Sequence, residues 1–160
     1  VFELSITDDI PDLQRLIEKL EPRQLSGAMK NIGEAGVGLA RESFQMGKNP
    51  YGEAWAPLKE STLEAFVGRG GRQRKSYGAR PLVRTSTLMS SLNWSLVMDG
   101  SAVAIGVSQR YGKYHQGDPD IPSKGIVPQR AFLPIEDRGL PEAWREELID
   151  AVESYLGVDA

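Results

Sequence analysis

The chain has 160 residues, 40% of them hydrophobic, with 22 acidic against 19 basic side chains and a net charge of −3. It contains no cysteine and one histidine. That excludes disulfides and cysteine-ligated metals, and it removes most zinc and imidazole-based catalytic schemes, which draw on two or more such side chains. No apolar run approaches the ~20 residues that span a bilayer, and the length suits one domain over 1–160, burying roughly two-thirds of its unfolded surface.

Phe2, Leu4 and Ile6 alternate with Glu3 and Ser5, the pattern of a short half-buried strand. Pro11 suits a first helical turn, and Leu13, Leu16, Ile17 and Leu20 then share one face of a helix that Pro22 stops. A longer helix is predicted from about Gln24 to Met46, with Leu25, Met29, Ile32, Ala40 and Phe44 on its stripe. Gly27, Gly33, Gly36 and Gly38 cost that helix ~1 kcal/mol each relative to alanine. They predict close approach of a sheet or a second helix, with a kink as the competing explanation. Their spacing matches neither GxGxxG nor GxxxxGK, so they make no phosphate loop.

An extended loop follows at about 47–84, interrupted by a short helix near Ser61–Phe66. From Ala65 to Met98 there is no carboxylate, whereas Arg69, Arg72, Arg74, Lys75, Arg80 and Arg84 supply six cations. Three readings fit this block. It is a nucleic-acid contact with Tyr77 as a stacking group, a docking arm for an acidic neighbour, or a solvated loop. The acidic body of the chain weighs against a dedicated nucleic-acid binder. Trp55, with Leu58 close behind, is either a core plug or an interface anchor; tryptophan is enriched at binding hot spots.

Thr85 or Ser86 is positioned to cap a short helix carrying Leu88, Met89 and Leu92. Trp94, Leu96 and Met98 then alternate up to Asp99-Gly100, and Val103, Ile105 and Val107 alternate after it. A two-residue Asp-Gly turn predicts a hairpin pairing Met98 with Ser101, Leu96 with Val103 and Trp94 with Ile105. Tyr111–Gly117 reads as a turn, and Ala131–Ile135 as a short edge strand able to tolerate Pro134. Pro141 opens a last helix, with Trp144, Leu148, Val152 and Tyr155 on one stripe and Gly157 at its end. The fold class is α+β: a small, mainly antiparallel sheet with a central hairpin, packed by about three helices, plus the long basic loop.

Little here points to catalysis. His115 lies near Asp118, Asp120 and Ser123-Lys124, from which a hydrolytic dyad or a metal site can be imagined. It has neither a flanking nucleophile motif nor a second imidazole, and it reads as a structural or interfacial histidine. No catalytic, metal or cofactor site is predicted.

Four segments carry a resemblance. Tyr51-Gly52-x-x-Trp55-Ala56-Pro57-Leu58 with Ser61-Thr62-Leu63, then Pro81–Leu92, then Tyr111-x-x-Tyr114-His115-Gln116-Gly117, and finally Gln129-Arg130-Ala131-Phe132-Leu133 occur in the order found in the phage virion morphogenesis family. The chain resembles that family, which includes tail-completion proteins of Mu-like and related tailed phages. It departs from the family pattern at Ser86 and Ala131, which replace a glycine and a frequent proline, and at Gly117, which follows Gln116 directly. The resemblance implies a non-enzymatic subunit of the neck or upper tail, assembled in the host cytoplasm and retained in the virion. Such a subunit completes or terminates the tail tube, or joins it to the head, as a homo-oligomeric ring of six or more copies. Its partners would be neighbouring neck and tail-tube proteins, with DNA in the lumen as a further contact and no membrane. The docking residues it suggests are Trp55, Leu58, Arg69, Arg72, Arg74, Lys75, Arg80, Arg84, Tyr111, Tyr114, His115 and Phe132. The alternative function is a nucleic-acid-binding module using the basic loop at 69–84.

Overall fold

The computed structural model describes residues 2–4, 15, 17–67, 80–83, 85–117 and 128–157. Its longest described element is helix α1 (Pro22–Met46). Pro22, expected to stop a preceding helix, opens this one instead. Its fixed φ suits the first turn, where its missing N–H loses no partner. Gln24 Oε1 accepts the Glu21 N–H at 3.0 Å, and left-handed Gly47 ends the helix by donating its N–H to Ser43 O. Most of the helix expected before it lies outside the described residues, although Ile17 and Leu20 pack against the core.

Strands β1 (Phe2–Leu4), β2 (Leu92–Val97) and β3 (Ala102–Val107) form one antiparallel sheet in the order β1-β3-β2. The β2–β3 register pairs Trp94 with Ile105 and Leu96 with Val103, as the alternation requires. The reversal is wider than a two-residue turn, however. Met98, Asp99 and Gly100 all have positive φ (49°, 54° and 87°), so the ladder ends at Val97↔Ala102 and Met98 belongs to the turn. β1 extends the sheet beyond β3, pairing Phe2 with Ile105 and Leu4 with Val103.

The sheet packs against α1 at the glycines. A Cβ on Gly33 would approach Trp94 Cδ2 to 2.5 Å, and one on Gly36 would strike Ile105 Cδ1. Gly27 lies beneath the Tyr155 hydroxyl, whereas a Cβ on Gly38 would meet nothing within 4 Å. Close approach therefore accounts for three of the four, and α1 runs unbroken past all of them.

Helix α2 (Glu60–Val67) lies close to the Ser61–Phe66 expectation, and α3 (Thr87–Ser90) precedes β2. Neither Thr85 nor Ser86 caps α3 through its side chain: Ser86 sits at the N-cap position in the left-handed region (φ 54°). Helix α4 (Gly112–Gln116) forms within the Tyr111–Gly117 segment. Helix α5 (Glu142–Leu156) starts after Pro141, ends at left-handed Gly157, and packs Trp144, Leu148 and Val152 against the core. Asn31 Nδ2 donates to Ala151 O at 3.3 Å where α1 meets α5. Ala131–Ile135 is not a strand. Several of its backbone groups are bonded to side chains from distant segments, and that network builds the candidate site.

Candidate docking site

The loop after α1 is held by a compact reversal. Lys48 bridges to Ala54, the Trp55 N–H donates to Gly47 O at 2.8 Å, and Asn49 Oδ1 accepts the N–H groups of Tyr51 and Glu53. This geometry turns Trp55 inward. Its indole is 7% exposed and meets Phe44 edge-on at 5.5 Å, and Nε1 donates to Ala131 O at 2.8 Å. Phe132 is 1% exposed and stacks obliquely on Phe44 with ring centroids 5.1 Å apart. Trp55 and Phe132, both expected among the docking residues, are buried in this structure: their rings and the indole donor find partners inside the molecule, and of the two readings of Trp55 this is the geometry of a core plug. Leu58 is half-buried.

Three polar side chains fasten residues 128–139 to the rest. Gln116, at the end of α4, donates through Nε2 to Leu133 O and to Pro134 O (3.1 Å), while its Oε1 accepts the N–H groups of Phe132 and Leu133, each at 3.2 Å. Its amide therefore replaces the ladder that a neighbouring strand would have provided. Arg130 is 6% exposed and donates from Nε to Ala56 O (2.9 Å) and from Nη2 to Pro57 O (3.1 Å). Among the described residues no carboxylate pairs with it; backbone carbonyls surround the charge instead. Tyr51 Oη accepts the Ile135 N–H (2.9 Å) and donates to Gly139 O (2.7 Å). Arg138 lies 3.7 Å over the Tyr51 ring and forms a bidentate pair with Glu53 at 2.9 and 3.1 Å, which holds the Glu53 carboxyl below its ordinary value, with Asn49 assisting.

The residues of this internal clasp that were not singled out from the sequence are Tyr51, Gln116 and Arg130. All three stand inside the motifs that carried the resemblance, so the signal was present. What sequence could not show is that these motifs converge on one another.

His115 O accepts the Arg130 N–H at 2.8 Å, and the imidazole is half-buried, with Nδ1 lacking a hydrogen-bond partner among the described residues. Burial, and then the nearby Arg130 charge, push its pKa below the ordinary value. Among the described residues no nucleophile is hydrogen-bonded to the imidazole.

On its outer side α4 presents Tyr111 and Tyr114, 41% and 44% exposed, with Lys113 Nζ 5.6 Å from the Tyr114 ring centroid. Its inner side is pressed so close that a Cβ on Gly112 would meet Val107 at 2.5 Å. Arg80 is exposed and donates to Gln45 O at 3.2 Å, at the C-terminal end of α1. Arg69, Arg72, Arg74, Lys75 and Arg84 lie outside the described residues, as do Tyr77, Asp118, Asp120, Ser123 and Lys124. Among the described residues no group of histidine and carboxylate side chains is placed to hold a metal ion, and no helix is long and apolar enough to cross a membrane.

No curated protein and no solved structure matches the chain. A family model does, over residues 10–157, and that span takes in the whole described clasp from Tyr51 to Gly139. The chain belongs to the phage virion morphogenesis family.

Proposed function

We propose that the protein is a ring-forming tail-completion or tail-terminator subunit at the phage head–tail junction. It caps the tail tube and docks it to the head connector through surface contacts, without chemistry. Family membership over residues 10–157 is the observation that carries this reading. Trp55, Gln116, Arg130 and Phe132 are committed to holding the subunit together, and the exposed face of α4 and the basic arm are offered to neighbouring proteins. Tyr111 and Tyr114 offer large, partly apolar area of the kind enriched at interfaces. A head-to-tail ring needs two different surfaces on each subunit, apart from those that meet the rings above and below. In this reading the whole chain acts as one domain, its arm reaches the adjoining neck or tail ring, and the subunit remains in the virion.

Native mass spectrometry over a range of concentrations tests the proposal. The expected result is a closed species of fixed stoichiometry, six copies being the first candidate, and no open-ended series. A protein that stays monomeric at high concentration and in the particle overturns it.

A further inference from the structure

Among the described residues the sheet ends on each side in a strand paired along one edge only. β2 is bonded to β3 along one edge, and among the described residues no strand pairs with the other. Sheet edges in monomeric proteins are usually blunted by charge, proline, a bulge or a covering element. β2 reads Leu-Asn-Trp-Ser-Leu-Val over six residues, with no charge and no proline. A groove of about 490 Å³ opens beside it, lined by Glu34, Val37 and Arg41 of α1 and by Leu92, Asn93 and Trp94. This combination of free backbone groups and an adjoining slot for side chains is what an extended chain needs to add itself to a sheet.

We propose that β2 is a strand-addition site whose occupant is β1 of a second copy of this chain. The sheet itself supplies the argument. β1 is the opposite edge, also bonded on one side only among the described residues. Pairing β2 of one subunit with β1 of the next joins two different surfaces and leaves the next β2 free, which is the heterologous contact that closes into a ring. The sequence Phe2-Glu3-Leu4 alternates apolar and charged residues, so one face of such a strand is apolar, and Val37, Leu92 and Trp94 give the groove an apolar lining between Glu34 and Arg41. The pairing rests on the ring reading above and names the contact that builds the ring.

Hydrogen exchange on the native assembly, read beside its mass, tests the proposal. The reference is a Ser95→Lys/Asn93→Lys variant, which changes two exposed side chains and places charge on the edge. The variant is expected to keep the wild-type melting temperature within a few degrees and to associate at least tenfold more weakly. In the wild-type assembly the outward half of the β2 amides, about three, gains protection relative to the variant, and β1 amides gain it with them. A ring in which neither strand gains protection overturns the pairing while leaving the ring intact. Protection of β2 without β1 overturns β1 as the occupant. A wild-type protein that is monomeric throughout overturns the ring reading, and the pairing with it.

Discussion

At the scale of single residues, Gln116 carries more of the structure than any residue picked out as a docking group. Its one amide serves two backbone acceptors and two backbone donors. Removing it leaves those groups part-buried without partners, and an unsatisfied buried polar group costs about 1–3 kcal/mol. Gln116→Ala is expected to lower the unfolding free energy by about 2–4 kcal/mol, measured by denaturant titration; a loss below about 1 kcal/mol would mean the segment finds other partners. His115 gives the complementary case. Its pKa is depressed in the folded protein by burial and by Arg130, so between the folded value and about 6.5 the unfolded chain binds the proton more readily. Its contribution to stability is therefore complete above about pH 6.5 and declines as pH falls through that value toward the folded pKa. Melting temperatures between pH 7.5 and 5 should fall for the wild-type protein and fall less for His115→Gln. Equal slopes for the two proteins would show that the imidazole is not the group responsible. The role of Gln116 was not legible in the sequence. Gln116 was visible only as a letter of a motif, because its partners lie 16–18 residues further along in a segment whose conformation it dictates.

At the scale of elements, sequence patterns identified what local periodicity determines. The stripe of Met29, Ile32, Ala40 and Phe44 located α1, and the alternation around Asp99-Gly100 fixed the β2–β3 register. Residues 131–135 were misread because Ala-Phe-Leu-Pro-Ile carries strand-like composition while its hydrogen bonds go to Trp55 and Gln116 instead of a ladder. Trp55 stood between a core plug and an interface anchor for the same reason: local sequence does not give its burial, since the acceptor of its indole lies 76 residues away. The glycines of α1 were expected to mark close approach, and they allow a paired test. Gly33→Ala places a Cβ against the Trp94 ring. Although alanine favours the helix by ~1 kcal/mol, the crowding is expected to win and destabilise the protein by about 1–3 kcal/mol. Gly38→Ala meets open space and should stabilise by up to ~1 kcal/mol. Thermal unfolding of the two variants should move in opposite directions. A shared direction would mean that propensity alone, or packing alone, governs the whole helix.

At the scale of the molecule, the clasp joins residues 51–57 to 130–139 across separations of 73–88 positions, so the middle and the end of the chain form one unit around Phe44. Charge is distributed regionally in the same body. Five carboxylates, Glu142, Glu146, Glu147, Asp150 and Glu153, lie along α5 with Arg145 as its one cation, whereas the six cations between Ala65 and Met98 have no acid among them. The net charge of −3 conceals that division. The clasp has a further consequence for heredity. Tyr51, Trp55, Gln116 and Arg130 grip main-chain atoms of residues 56, 57, 131–135 and 139, and a peptide group is the same whatever side chain it bears. Four side chains must be kept, while a gripped position such as 56, whose own side chain is exposed, is free to drift. Substitution at such a gripped position leaves in place the bonds that hold the segment, so descent can change the letter and still inherit the fastening.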